Sequence, residues 1–348
     1  MSRLPFTSDY MQGAHPNILA RLIETNMTAA PGYGEDEFCL SAKEMIRTAC
    51  ACPDAEIHFL TGGTQANATV IDAVLASYQG VLASESGHIN VHEAGAIELG
   101  GHKVLALPEH LGKITAGQVR DAVHAYETDP SRDHIIMPGM VYISQPTEYG
   151  SLYSLDELTA LSEVCREKRL PLYVDGARLA YALAAPENDV TLADLARLTD
   201  IFYIGGTKCG ALLGEAVVIP KAGTIPHFFT IIKQHGALLA KGRLLGIQFS
   251  ELFRDDLYLT IGNTAIRSAR KIREALKANG YRLFIDSPTN QTFVIMPNKL
   301  LPVLAEKVAF DDWGPADADH TVIRFATCWA TTDENTEALC KLLADLHA

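Results

Sequence analysis

Three short segments place glycines, a carboxylate and an amine where they could do chemistry. Thr61-Gly62-Gly63-Thr64-Gln65-Ala66-Asn67 follows a β-rich run and opens a helical stretch. Its glycines would let backbone N–H groups close on an anion that the helix dipole also favours, so the turn suits a phosphate. The plainer alternative is a tight strand-to-helix turn with no ligand. The segment matches neither G-x-x-x-x-G-K-[ST] nor G-x-G-x-x-G, which argues against a nucleotide. Val174-Asp175-Gly176-Ala177-Arg178 ends an apolar run in a carboxylate. Buried without a positive partner, that group would be costly and its pKa would rise. The partner is either Arg178, in a structural salt bridge, or a protonated heterocycle. Phe202-Tyr203-Ile204-Gly205-Gly206-Thr207-Lys208-Cys209-Gly210 ends another apolar run at a lysine among small residues. A loop lysine is ordinarily a solvated charge, but a partly apolar site lowers its pKa and lets the amine act as a Schiff-base nucleophile.

The elements that must position these segments alternate along the chain. Short β-rich runs are expected at Ile57–Leu60, Val81–Ala83, Lys103–Leu107, Met140–Ser144, Leu172–Val174, Ile201–Ile204 and Ala216–Ile219. Helical periodicity lies between several of them, at Ala66–Ser77, Ala116–Tyr126, Leu155–Lys168 and Leu192–Leu198. This is the pattern of an α/β fold with a mostly parallel seven-stranded sheet, whose ligands sit beyond the carboxyl ends of the strands. Two helices precede it, His15–Met27 and one capped by Asp36 that runs to Cys50. Helical stretches over Leu238–Phe253 and Leu257–Asn279 then lead to β-runs at Phe293–Met296 and Val322–Ala326 and a last helix from Asp333 to Leu346. At 348 residues the chain exceeds the usual limit for one core. The expected organisation is an arm over 1–14 that contributes to the site, a large domain over 15–250 and a small α+β domain over 251–348.

A phosphate cradle, a carboxylate for a pyridinium nitrogen and a Schiff-base lysine are together what pyridoxal 5′-phosphate (PLP) asks of a protein. The segment from Asp175 to Lys208 has room for one helix and one strand. Further matches extend over most of the chain. They are Ser8-Asp9 after an N-terminal phenylalanine, Tyr33-Gly34-Glu35-Asp36, Ser86-Gly87-His88-Ile89 with Glu93, and Arg324-Phe325-Ala326-Thr327. In these residues the chain resembles the low-specificity threonine aldolases of the aromatic amino acid β-eliminating lyase/threonine aldolase family, which are PLP enzymes of fold type I. The resemblance implies that Lys208 carries the cofactor, Asp175 partners its ring nitrogen, His88 stacks on the ring, and Gly62, Gly63 and Thr64 hold the phosphate. It implies that Ser8, Arg178 and Arg324 bind the substrate carboxylate, with Tyr33 also near the substrate. The implied reaction is aldol cleavage of a β-hydroxy-α-amino acid to glycine and an aldehyde. β-Elimination, racemisation or a noncatalytic ligand-binding α/β domain are the alternatives.

Two segments depart from the family pattern. Its Glu-Asn-Thr-His stretch is here Ser144-Gln145-Pro146-Thr147-Glu148-Tyr149-Gly150, so the histidine that often contacts the substrate hydroxyl is missing. Its Met-Arg-Gln-Ala-Gly segment is here Ile232-Lys233-Gln234-His235-Gly236, with Lys233 in place of a phosphate-binding arginine. The family implies a homodimer or homotetramer in which Tyr33, Lys233 or Lys241 serves the partner's site. His88 and His92 stand four apart, but without the H-E-x-x-H order or a third ligand no metal is expected.

Bulk properties exclude other classes. A net charge of −13 argues against a nucleic-acid partner. No run of ~18 apolar residues marks a membrane span, and the first ten residues carry no apolar leader, so a cytoplasmic protein is expected. Seven cysteines without C-x-x-C spacing are expected to be reduced, with Cys209 as packing.

Overall fold

Each of the seven β-rich runs becomes a strand of one sheet in the computed structural model, which describes residues 3–347. Met1, Ser2 and Ala348, which fall by number in the arm and the C-terminal lobe, lie outside the described residues. Across the sheet the order is Glu56–Leu60, Glu215–Ile219, Ile201–Gly205, Leu172–Asp175, Met137–Ser144, Gln79–Ser84 and Lys103–Leu107. Glu215–Ile219 runs antiparallel to both neighbours, and the remaining pairs are parallel. The carboxyl ends of the parallel strands, including Leu60, Ser144, Asp175 and Gly205, therefore share one edge.

Helices cover both faces, which is why the central strands read as unbroken apolar runs. Strand periodicity sorts the side chains. Val141, Leu172, Val174, Phe202 and Val218 enter one core, and Met140, Tyr142, Tyr173, Tyr203 and Val217 enter the other. Asp175, two residues beyond Tyr173, therefore faces the side on which three tyrosines of adjacent strands already lie. The helix Gly63–Val74 packs on that face through Ala66, Val70 and Ile71.

The C-terminal part is a four-stranded antiparallel sheet in the order Asp311–Pro315, His320–Ala326, Gln291–Pro297 and Arg282–Ile285. Helices Asn263–Ala278 and Asp333–His347 supply its separate core, with Ile272, Leu276, Leu339 and Leu343 packed against Val294, Ile323 and Phe325. The strand Leu4–Pro5 pairs with Val308–Ala309, and Phe6 joins the same core, so the N-terminal segment is bound to this smaller lobe.

Differences from the sequence expectation cluster in the connector. The helix expected from Leu238 starts at Arg243, because Gly236 has φ 64° and Gly242 is pressed against Gly34. The stretch Leu257–Asn279 divides into Leu257–Thr260 and Asn263–Ala278, where Gly262 approaches the Ala180 carbonyl oxygen. The strands Arg282–Ile285 and Asp311–Pro315 lack a full apolar face and escape periodicity reading.

Two strand ends are pressed together at the shared edge. A Cβ on Gly176 would lie 2.0 Å from the Tyr203 carbonyl oxygen, and one on Gly205 would lie 2.5 Å from that of Ala177. The Gly205 N–H donates to the Gly176 carbonyl at 3.0 Å. Overpacking of this kind costs about 1–3 kcal/mol or more. Gly176→Ala is therefore expected to lower the urea midpoint by that amount at unchanged m-value; an unshifted midpoint would show that the two turns are not in fixed contact.

Candidate active site

Asp175 is buried at the sheet edge with four neutral donors around its carboxylate. Tyr203 Oη and the Ala177 N–H donate to Oδ1 at 2.5 and 2.9 Å, and Tyr142 Oη and Asn67 Nδ2 donate to Oδ2 at 2.6 and 3.1 Å. Burial pushes its pKa up, but the His88 charge and these hydrogen bonds outweigh it, so the carboxyl is held below its ordinary value. Among the described residues no cation is hydrogen-bonded to it. Arg178 is not the partner that the sequence offered as one possibility. The negative charge is thus fixed and uncompensated at contact distance, the setting that a ring cation would answer.

The phosphate-type turn reaches the same spot from the helix. Gly63 begins Gly63–Val74, and a Cβ there would stand 3.0 Å from Tyr203 Oη, while at Gly62 the space is open. The Thr61 N–H and hydroxyl donate to Gln65 Oε1, leaving the N–H groups of the first helical turn without intrahelical acceptors. One turn further on, Asn67 joins Asp175 to Glu93 Oε1, at 2.7 Å, and takes the Tyr173 hydroxyl at 2.9 Å. Glu93 Oε1 also holds His88 Nδ1 at 2.7 Å. Burial lowers the His88 pKa, but Glu93, Glu148 and Asp175 together raise it above its ordinary value.

Lys208 follows the turn after Ile201–Gly205, and its Nζ makes no hydrogen bond or ion pair among the described residues. Burial and the nearby Arg178 charge lower its pKa, against the pull of Asp9, Glu148 and Asp175. A lowered ammonium pKa supplies more of the neutral amine, the form that can attack a carbonyl. The Tyr181 hydroxyl donates to the Lys208 carbonyl at 2.6 Å. Glu215, on the antiparallel strand beside it, accepts from the Thr207 hydroxyl at 2.7 Å and the Gly206 N–H at 3.1 Å. Its burial pushes the carboxyl up to about 8.

Lys208 opens on a cleft of about 610 Å³ whose walls include His88, Glu148, Arg178, Trp313 and Arg324. Nε and Nη2 of Arg178 grip both oxygens of buried Asp9, at 2.6 and 3.2 Å. Burial works against both charges, but the pair holds Asp9 well below and Arg178 well above their ordinary ranges. Asn290 Nδ2 adds a third bond to Asp9 at 2.9 Å. The arginine's fork, expected to serve a substrate carboxylate, is thus committed to the N-terminal arm, and its Nη1 faces Glu148 at 3.9 Å. Arg324 keeps Nη1 on Gln291 Oε1 at 2.7 Å and Nη2 near Asp311 at 2.8 Å, while its buried Nε has no partner. Ser8 is buried next to Asp9.

Of the expected residues, Lys208, His88, Arg178 and Arg324 line the cleft, Arg324 from the smaller sheet; Asp175 and Gly63 meet beside it through Tyr203 and Asn67, with Gly62 and Thr64 flanking Gly63 at the helix start. Tyr33 and Lys233 do not line the cleft: Lys233 Nζ lies 4.5 Å from the centre of the Tyr33 ring. Residues missed by motif reading are Asp9 as an arginine partner, Tyr142, Tyr203, Glu148, Glu215 and Trp313. Glu215 carried a signal, a charge opening the apolar run Ala216–Ile219. Glu148 carried another, since it is a polar residue just after a strand end.

Residues 6–292 match the family described as beta-eliminating lyase. A low specificity L-threonine aldolase from a Pseudomonas species is 30% identical over 99% of this chain and 97% of its own length. A solved threonine aldolase structure from Leishmania major is 41% identical, with 99% of each chain covered and a TM-score of 0.96. A Thermus thermophilus aspartate aminotransferase variant, 16% identical, shares the fold at a TM-score of 0.71 over 99% of this chain and 91% of its own.

The Glu215 pKa of about 8 in the folded chain compares with roughly 4.3 for an unfolded glutamate. A raised acid pKa means that the native state holds the proton more tightly. Its stabilising effect is complete below about pH 4 and is lost as pH rises through about 8. Glu215→Gln stays neutral, so relative to wild type it is expected to gain roughly 1 kcal/mol per pH unit between about pH 6 and about pH 8. Urea melts of both proteins measure this; parallel stability curves would contradict it.

Proposed function

Because the chain belongs to the β-eliminating lyase family, we propose that it is a PLP-dependent lyase cleaving L-threonine, L-allo-threonine and related β-hydroxy-α-amino acids to glycine and an aldehyde. Its fold is that of the fold-type I PLP enzymes, a mostly parallel seven-stranded sheet with a smaller antiparallel lobe. The observation that carries the reading is the meeting of three motifs distant in sequence. Gly63 abuts Tyr203, Tyr203 and Asn67 bond Asp175, and the turn leading to Lys208 rests on Gly176.

PLP supplies, when bound, an aldehyde for an amine to join and a cationic ring that accepts the electron pair of the broken bond. The residues fit that group. Lys208 provides an amine poised toward neutrality, and ionised Asp175 favours a protonated ring nitrogen. Gly62, Gly63 and Thr64 would hold the phosphate at a helix N-terminus, and His88, fixed by Glu93, would lie against the ring. Arg324 and Ser8 would take the substrate carboxylate, with Arg178 keeping Nη1 for that task. The half-buried indole of Trp313 would cover one side of the reacting carbon.

The protein is proposed to work as a homodimer or homotetramer, with Tyr33, Lys233 and Lys241 serving a second copy's site. Ile23 and Met27, 78% and 90% exposed around the helix Pro16–Thr25, support such a contact. A cytoplasmic location accords with seven free cysteines. No helix among the described residues is long and apolar enough to cross a membrane.

Lys208→Ala is expected to abolish both the visible absorbance of bound cofactor and glycine formation; retained turnover would overturn the assignment. Wild type is expected to give glycine plus aldehyde, whereas a keto acid with ammonia, or an inverted Cα, would point to elimination or racemisation. Arg324→Ala should keep the cofactor absorbance and raise KM for threonine about 10–100-fold, in line with ~1.5–3 kcal/mol for a charged hydrogen bond. Unchanged KM would remove Arg324 from the substrate site.

A further inference from the structure

Of the carboxylates that line the cleft among the described residues, that of Glu148 alone makes no hydrogen bond through either oxygen. It lies in the turn after Met137–Ser144, with its side chain 11% exposed. Among the described residues no hydrogen bond reaches its carboxylate, and the nearest cationic nitrogen, Arg178 Nη1, is 3.9 Å away, beyond hydrogen-bond reach. Its backbone, in contrast, is fixed from three sides. Gln291 Nε2 donates to the Glu148 carbonyl at 3.2 Å. The turn closes on itself through Thr147 N–H to the Ser151 carbonyl at 2.9 Å and Gly150 N–H to the Thr147 carbonyl at 2.8 Å. The Gly150 carbonyl accepts from Ser287 and Thr289 hydroxyls at 3.0 and 3.1 Å. A rigid backbone presenting an unsatisfied acceptor to a cleft is the arrangement expected of a group awaiting a substrate proton.

The other two carboxylates of the cleft each hold a neighbour and stand toward solvent. Asp311 Oδ2 holds Arg324 and the Trp313 indole N–H, at 2.8 and 2.9 Å. Asp312 Oδ1 takes the Gly314 N–H at 2.8 Å. His88 has its Nδ1 held by Glu93 Oε1 at 2.7 Å. His92 is exposed at the rim.

Resting on the proposed cleavage, we propose that Glu148 is the base that takes the β-hydroxyl proton of the substrate. The O–H electron pair becomes the second carbon–oxygen bond of the aldehyde. The Cα–Cβ bond breaks and its pair stays with Cα, which gains a proton to complete glycine. Glu148 returns the hydroxyl proton to solvent, so no net proton, oxidant or reductant is needed.

Exchange of the glycine α-proton with deuterated solvent separates this role from others, because it uses the same cofactor, Lys208 and carboxylate anchors but involves no hydroxyl. Glu148→Gln is expected to lower cleavage of threonine and allo-threonine about 10²–10⁴-fold, the usual worth of a general base. Glycine exchange and the bound-cofactor absorbance should stay within about threefold of wild type, following the same reasoning. Retained cleavage, or an equal loss of cleavage and exchange, would each overturn the role of Glu148. Should the glutamine variant fail to melt cooperatively, Glu148→Asp keeps the acid on a shorter arm and must show the same split between cleavage and exchange. A wild type that neither cleaves threonine nor exchanges glycine would instead overturn the proposed function.

Discussion

The buried charge of Asp175 is the constraint around which the larger lobe is arranged. An ion removed from water loses several kcal/mol of solvation, and here no cation repays it at contact distance. Neutral donors from two neighbouring strands, one helix and one backbone N–H do so instead. Each has its own reason for being there. Strand alternation puts Tyr142 and Tyr203 on the face of Asp175, while the glycine at the start of Gly63–Val74 lets that helix approach until Asn67 is within reach. The three motifs are therefore joined by the requirement to solvate one carboxylate.

A second buried pair, Asp9 with Arg178, ties the two lobes through the N-terminal arm. Phe6 packs in the core of the smaller lobe, whereas Arg178 immediately precedes the short helix Leu179–Leu183 of the larger one, and Asn290 bonds Asp9 from the smaller lobe. Removing one partner of such a pair costs roughly 3–5 kcal/mol, because the other is left buried and unpaired. An arginine that looks in sequence like a free anion receptor is in this chain largely a structural joint.

Sequence pattern revealed the parallel sheet well, because strands buried on both faces are continuous apolar runs with turns rich in glycine. Leu155–Lys168 and Leu192–Leu198 were legible to the residue, and each begins with a side chain capping its third N–H. Asp175 stood out because it ends an apolar strand, and Lys208 because it follows the glycine turn just after another. Periodicity could not show that Arg178 turns to Asp9, a partner 169 positions away. Nor could it show that Tyr142 and Tyr203 converge, since a tyrosine in a strand looks the same whether its hydroxyl meets solvent or a carboxylate. The breaks at Gly242 and Gly262 were hidden for a related reason: both glycines answer to a backbone far away in sequence, Gly34 and Ala180, not to their neighbours.

Gln291 has a mechanical consequence. Its amide oxygen receives Arg324, and its amide nitrogen binds the carbonyl of Glu148, so one side chain spans the guanidinium and the turn opposite. That turn belongs by sequence to the larger lobe but is fastened to the smaller one, through Ser287 and Thr289 as well. If the smaller lobe tilts, these two charges travel as a single jaw. A molecule admitted between them must therefore match a separation that the length of the Gln291 side chain sets.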